Sequence, residues 1–166
     1  MKIDKLVKIM EQLRDPKRGC PWDKKQTMES IIPHTIEEVY EVAEQIHNKN
    51  YNELKEELGD VLFQVVYLSQ IASEKNKFNL NDVIETITSK MILRHPHVFK
   101  NKKFQNMKEF KSWWEKSKKK KQHSILDNIP FTYPAYLEAN KIQKKVASVG
   151  FDYKNKLDAI NKISEE

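Results

Sequence analysis

One cysteine, Cys20, occurs in 166 residues. The chain therefore makes no internal disulfide, and a lone thiol builds no zinc knuckle. Glycine is nearly as scarce, at Gly19, Gly59 and Gly150, and alternating strand-like patterning is rare. Periodic segments consequently read as helices, and the fold class is all-α. No stretch approaches the roughly 20 apolar residues that span a bilayer. The opening Met1-Lys2-Ile3-Asp4-Lys5 also lacks the apolar run of a signal peptide. The expectation is a cytoplasmic protein with no membrane partner. Lysine and arginine are missing altogether between Gln26 and Asn48, a segment that holds Glu29, Glu37, Glu38, Glu41 and Glu44.

What is present fits a globular protein. Hydrophobic residues make up 39% and charged residues 33%, enough to bury a core at this length. The formal net charge is +6, which favours an anionic partner. Much of the excess lies between Lys100 and Lys121, so the carboxylates and the basic residues are segregated along the chain.

Helical periodicity predicts a first helix over 2–14, with Ile3, Leu6, Val7, Met10 and Leu13 on one face. A loop follows over 17–26. A second helix starts near Thr27, is interrupted or bent around Pro33 and continues to about Ile46; a turn covers 48–52. The third helix, from about 51 to 75, is apolar almost all round over Val61–Leu68 and should be buried. Asn79–Asp82 reads as the N-cap of a fourth helix that Pro96 stops. Four helices of this length make a bundle. Residues 107–121 form a further, basic helix, and 129–134 a linker.

Glu38 and Glu41 are three apart on the second helix, and Glu57 and Asp60 are three apart on the third, so each pair shares a face. Across two neighbouring antiparallel helices the four make an oxygen cage for a hard divalent cation. An isolated Glu-x-x-Glu is ordinarily a solvated face. Here, however, Glu37, Glu38 and Glu41 are followed four residues on by Glu41, Val42 and Gln45 rather than by lysine or arginine. Asp60 runs into the apolar stretch and should be partly buried, where an unpaired carboxylate is costly. Gly59 beside it permits the close approach of another group.

Glu37-Glu38-Val39-Tyr40-Glu41 with Glu57-Leu58-Gly59-Asp60 resembles the Glu-Glu-x-x-Glu and Glu-x-x-Asp motif pair of the MazG-type nucleoside triphosphate pyrophosphohydrolases. Gly19-Cys20-Pro21-Trp22-Asp23 with Gln26-Thr27, and Arg94-His95-Pro96-His97-Val98-Phe99, resemble further MazG signatures, in the same order. The resemblance covers about residues 3–118. It implies a four-helix bundle assembled as an oligomer, a dimer first, and hydrolysis of NTP or dNTP to monophosphate and pyrophosphate, for house-cleaning or nucleotide-pool control. It also implies Mg²⁺, with Mn²⁺ as a substitute, held by Glu38, Glu41, Glu57 and Asp60. Glu37 and Glu38 are the catalytic candidates, Glu37 being either a base behind the metal ligands or a surface residue. Lys90 and Arg94 align with phosphate-contacting positions, and arginine suits phosphate through its planar fork. Their bland alternative is an exposed helix end. Trp114 matches a nucleotide-contacting tryptophan. Trp22 shares the choice between site and core, and Asn52 and Lys55 fall near phosphate-binding positions. His95 and His97 flank Pro96 and suit capping better than metal ligation.

The domain expectation is a MazG-like domain over 1–121, then a linker and helical extension over 122–166. In that extension Lys141–Lys145 and Val149-Gly150-Phe151-Asp152-Tyr153 resemble the start of a second copy, with no second Glu-x-x-Asp. Two alternatives compete: a non-catalytic helical oligomerisation module, and a nucleic-acid-binding module based on the Lys118–Lys121 run. Bare convergent carboxylates would repel a phosphate backbone, which disfavours nucleic acid.

Overall fold

The computed structural model describes residues 2–118, 124–127, 129–153 and 155–165, and no strand occurs among them. The chain divides into two compact units, 1–102 and 103–166. In the first, α1 (Lys2–Leu13), α2 (Met28–Asn48), α3 (Tyr51–Glu74) and α4 (Leu80–Arg94) are the four expected long helices, followed by the single turn α5 (Pro96–Phe99). The central element is α3, which packs most extensively on α2 and also on α1 and α4. Met10 from α1, Ile31 from α2 and Val66, Tyr67 and Ile71 from α3 make one buried cluster.

Helix ends follow local chemistry. The Thr27 hydroxyl accepts from the Ser30 N–H while the Ser30 hydroxyl accepts from the Thr27 N–H, so α2 starts on a closed capping box. It ends where Lys49 takes a left-handed conformation at φ 56°, and the Asn50 side chain caps α3 directly. Asn79 and Asp82 form a second capping box for α4, as the sequence predicts. The predicted interruption at Pro33 does not occur: α2 runs through it unbroken. Pro33 sits in the second turn, where losing its N–H removes one helical hydrogen bond, and Ile31 beside it is anchored in the core.

The loop between α1 and α2 is pinned by a polar clasp. Arg14 bonds Glu74 through Nε and Nη2 at 2.8 and 2.7 Å, and its Nη1 donates to the backbone carbonyls of Asp23 and Gln26. The buried Tyr67 hydroxyl lies 2.9 Å from both the carbonyl oxygen and Oδ1 of Asp23 and donates to one of them. Burial, then the bond to Asp23, pushes the Tyr67 hydroxyl up to about 12. Arg14 in turn holds the Glu74 carboxyl below its ordinary value. Gly19 closes the same loop, because a Cβ there would collide with the backbone of Leu13 and Asp15.

One expectation for α3 needs correction, the burial of Asp60. The apolar stretch is covered only in part within this chain: Val66 and Tyr67 turn inward, but Leu62 and Val65 are exposed. Asp60 is exposed rather than partly buried. It stands on the same side of α3 as Gln64 and Tyr67, one and two turns before them. Among the described residues nothing lies within 4 Å of a Cβ added at Gly59.

The second unit holds α6 (Met107–Lys118), α7 (Ala135–Ala147) and α8 (Lys156–Glu165). Phe104 and Phe110 stack edge to face at 5.5 Å, and Trp113 and Trp114 lean on Phe104 and Phe110. Lys145 donates to the Ile125 carbonyl at 2.7 Å, and Gly150 ends the α7 segment at φ 89°. Residues 107–118, grouped with the first domain in the sequence reading, fall by compactness in this unit. The lysine run from Lys119 to Lys121 lies outside the described residues.

The two glycines should respond oppositely to alanine. Gly19→Ala should lose about 1–3 kcal/mol of unfolding free energy through the backbone collision, and Gly59→Ala should gain about 1 kcal/mol as an unobstructed helix-interior substitution. Urea unfolding followed by circular dichroism measures both; a Gly19→Ala variant as stable as the parent would refute the collision.

Candidate metal centre

The turn at Lys49–Asn50 folds α3 back along α2, which brings the two carboxylate pairs face to face. One carboxylate oxygen from each of Glu38, Glu41 and Glu57 lies within 4.8 Å of the others. Glu38 and Glu57 are half-buried. Asp60 is outside this tightest group yet raises the proton affinity of both Glu38 and Glu57 through its charge, so the four acids form one electrostatic unit.

Desolvation is the main cause that lifts the Glu38 carboxyl above its ordinary value, followed by the charges of Asp60 and Glu41. The Glu57 carboxyl rises for the same leading reason, with Glu41 and Asp60 next. Among the described residues, none of the four pairs with a lysine, arginine or histidine. Three convergent oxygens with no internal countercharge are a donor set that fits a hard divalent cation, since Mg²⁺ is held by a few carboxylates while keeping several waters.

Sequence reasoning missed one neighbour. Gln64 is 8% exposed, its Nε2 stands 3.5 Å from Glu38 Oε1, and its own Oε1 is buried without a partner. The available signal was its position, a lone amide inside the Val61–Leu68 apolar run at i+4 from Asp60 and i+7 from Glu57. The Arg14–Asp23–Tyr67–Glu74 clasp was also missed, because its members come from three separate segments, the end of α1, the loop and α3.

The other candidates are less convergent. Glu37 points to a rotated position on α2, largely solvent-exposed, with His34 Nδ1 3.8 Å away. The Trp22 ring sits edge-on to His34 at 5.9 Å and is half-exposed. Asn52 and Lys55 are exposed on the first turns of α3, five and two residues before Glu57. Lys90 and Arg94 stand one turn apart at the end of α4. His95 caps that end, with Nδ1 2.8 Å from the Met91 carbonyl. Trp114 belongs to the aromatic set of α6 in the second unit. Two hollows in the first unit, of about 550 and 330 Å³, line α1 and α3 and include none of the four acids. Of the four acids, Asp60 is exposed.

Residues 26–99 match the model of the MazG nucleotide pyrophosphohydrolase domain. The nucleoside triphosphate pyrophosphohydrolase of Escherichia coli strain K12 is 46% identical over 169 residues, covering 99% of this chain and 64% of that protein. The nucleoside triphosphate pyrophosphohydrolase/pyrophosphatase MazG of Thermotoga maritima is also 46% identical, over 164 residues with the same coverages. The chain thus spans about 64% of the length of these relatives. A crystal structure of a mazG-related protein from Thermotoga maritima aligns with a TM-score of 0.59 at 28% identity, over 70% of this chain and 99% of that one.

The metal-free acids set a pH dependence. Glu38 and Glu57 bind protons more tightly folded than unfolded, so their ionisation weakens the fold as pH rises from 4.5 through their raised values. Glu74 acts oppositely: its contribution is present above 4.5 and is lost as pH falls through its lowered value. Thermal melts in EDTA from about pH 5 to about pH 7 should show a steeper loss for the parent than for Glu38→Gln; parallel curves would refute the coupling.

Proposed function

We propose that this chain, MazG-type over residues 26–99, is a nucleoside triphosphate pyrophosphohydrolase that releases monophosphate and pyrophosphate with a divalent cation, Mg²⁺ or Mn²⁺. The observation that carries the reading is the convergence of Glu38, Glu41 and Glu57, with the charge of Asp60 beside them, in a cluster without internal countercharge. Glu38, Glu41, Glu57 and Asp60 would hold the cation. When bound, such a cation neutralises triphosphate charge and lowers the pKa of a water. Glu37 stands where α2 reaches solvent and is the candidate to take the proton from the attacking water. Lys90 and Arg94 supply cationic donors suited to phosphate oxygens, with Asn52 and Lys55 as nearer, weaker candidates. Trp22 and Trp114 are the candidates for stacking on the base.

The first unit also carries an uncovered apolar surface. Ile32, Ile36, Val39, Tyr40 and Ile46 stand exposed along α2 at helical spacing, and Leu58, Leu62 and Val65 along α3. Such a surface marks an interface, and we assign it to a second copy of this chain, packed beside the acids so that the nucleotide site is completed at the subunit boundary. Val66 and Tyr67 have no part in it, being fully buried within the chain.

Glu41→Gln and Asp60→Asn should each abolish most cation-dependent turnover while leaving the helical circular dichroism signal intact. Pyrophosphate release from the eight common NTPs and dNTPs, with Mg²⁺ or EDTA, measures this; near-parental rates in both variants at saturating Mg²⁺ would remove the metal assignment, and release of inorganic phosphate with diphosphate would remove the reaction. Multi-angle light scattering at micromolar concentration should give a dimer or a higher even oligomer. Leu62→Glu should shift it towards the 19.7 kDa monomer and lower activity together, whereas a parental monomer with full activity would exclude the shared site.

A further inference from the structure

Gln64 lies on the core-facing side of α3, three and seven residues before Tyr67 and Ile71 of the buried cluster, where a polar amide has no packing advantage over leucine. It is more than nine-tenths buried, and its Oε1 has no hydrogen-bond partner. A buried acceptor left unsatisfied opposes folding, so the amide is poorly explained by stability. Its Nε2, however, is directed at Glu38 Oε1 at 3.5 Å, and Glu38 is the acid whose oxygen converges with those of Glu41 and Glu57. The amide therefore joins the core to the carboxylate cluster at one point.

We infer that Gln64 is a positioning residue for this cluster: its N–H steadies Glu38 in the orientation that faces Glu41 and Glu57. The inference rests on the divalent-cation reading of the acids. It makes Gln64 a residue that weakens the empty protein and strengthens the loaded one. An amide suits the task because it donates to a carboxylate without adding a charge to the cluster. Partners behind metal ligands of this kind change affinity by about 10–100-fold when removed.

The test is Mn²⁺ binding to the full chain, read by the loss of the free-ion electron paramagnetic resonance signal, alongside thermal melts in EDTA. The near-isosteric Gln64→Met should weaken Mn²⁺ binding by about 10-fold while the metal-free melting temperature stays level or rises. An unchanged Mn²⁺ affinity in Gln64→Met, with parental binding intact, would overturn the positioning role alone, and so would a lowered metal-free melting temperature with unchanged affinity. Failure of the parent itself to bind Mn²⁺ would overturn the cation reading and this inference together. Should Gln64→Met not fold, Gln64→Glu serves instead. It places a further carboxylate beside Glu38, so its metal-free melting temperature should fall and its gain on adding Mn²⁺ should exceed the parent's; a gain equal to the parent's would overturn the inference.

Discussion

The packing of α2 along α3 holds like charges where they would not otherwise stay. Ile31 on α2 shares a buried cluster with Val66, Tyr67 and Ile71 on α3, and Met10 of α1 completes it. Each such side chain contributes roughly 1.5–3 kcal/mol on burial. That apolar grip fixes the two helices side by side, and with them Glu38 and Glu41 opposite Glu57. Repulsion among the acids is the opposing force, visible in the raised proton affinities of Glu38 and Glu57. Hydrophobic burial two turns and more along the helices outweighs it, which keeps the carboxylates together.

The loop before α2 depends on the same core. Tyr67 is at once a member of the buried cluster and the donor to Asp23. Arg14 spans Glu74 and the Asp23 and Gln26 carbonyls from the other side, its guanidinium 5.5 Å over the Tyr67 ring. A single loop is thereby tied to both ends of the last two turns of α3, and Trp22 is carried to the edge of His34 on α2. The placement of that tryptophan is a consequence of the clasp rather than of its own packing, since half of it faces solvent.

Helix boundaries were legible in the sequence because they are set locally. Thr27 with Ser30, Asn50, and Asn79 with Asp82 each declare a helix start within four residues, and all three are observed as caps. The i,i+3 spacing of the acids was equally local, and the hairpin converted it into a cluster. Burial was less legible. Periodicity shows that the side chains of α3 over Val61–Leu68 are apolar almost all round but not which of them the chain covers itself: Val66 and Tyr67 are buried within it, and Leu62 and Val65 are exposed. Pro33 misled because its cost depends on how firmly its neighbours are anchored, and Ile31 is anchored firmly. The Gln64 contact and the Arg14 clasp escaped because both join residues that only the folded chain brings together, 26 and 60 positions apart.

The turn at Lys49–Asn50 is short, so all the proposed ligands fall between residues 38 and 60 of the chain. A contact made at such small sequence separation closes a short loop and is kinetically cheap. A contact at this separation can form before α4 packs onto α3. During synthesis the hairpin emerges ahead of α4, and a divalent ion present at that moment would act as a counterion to a nascent helical pair, speeding the step that charge repulsion slows. Ionic conditions would then govern how fast this protein reaches its fold as well as what the finished fold can do.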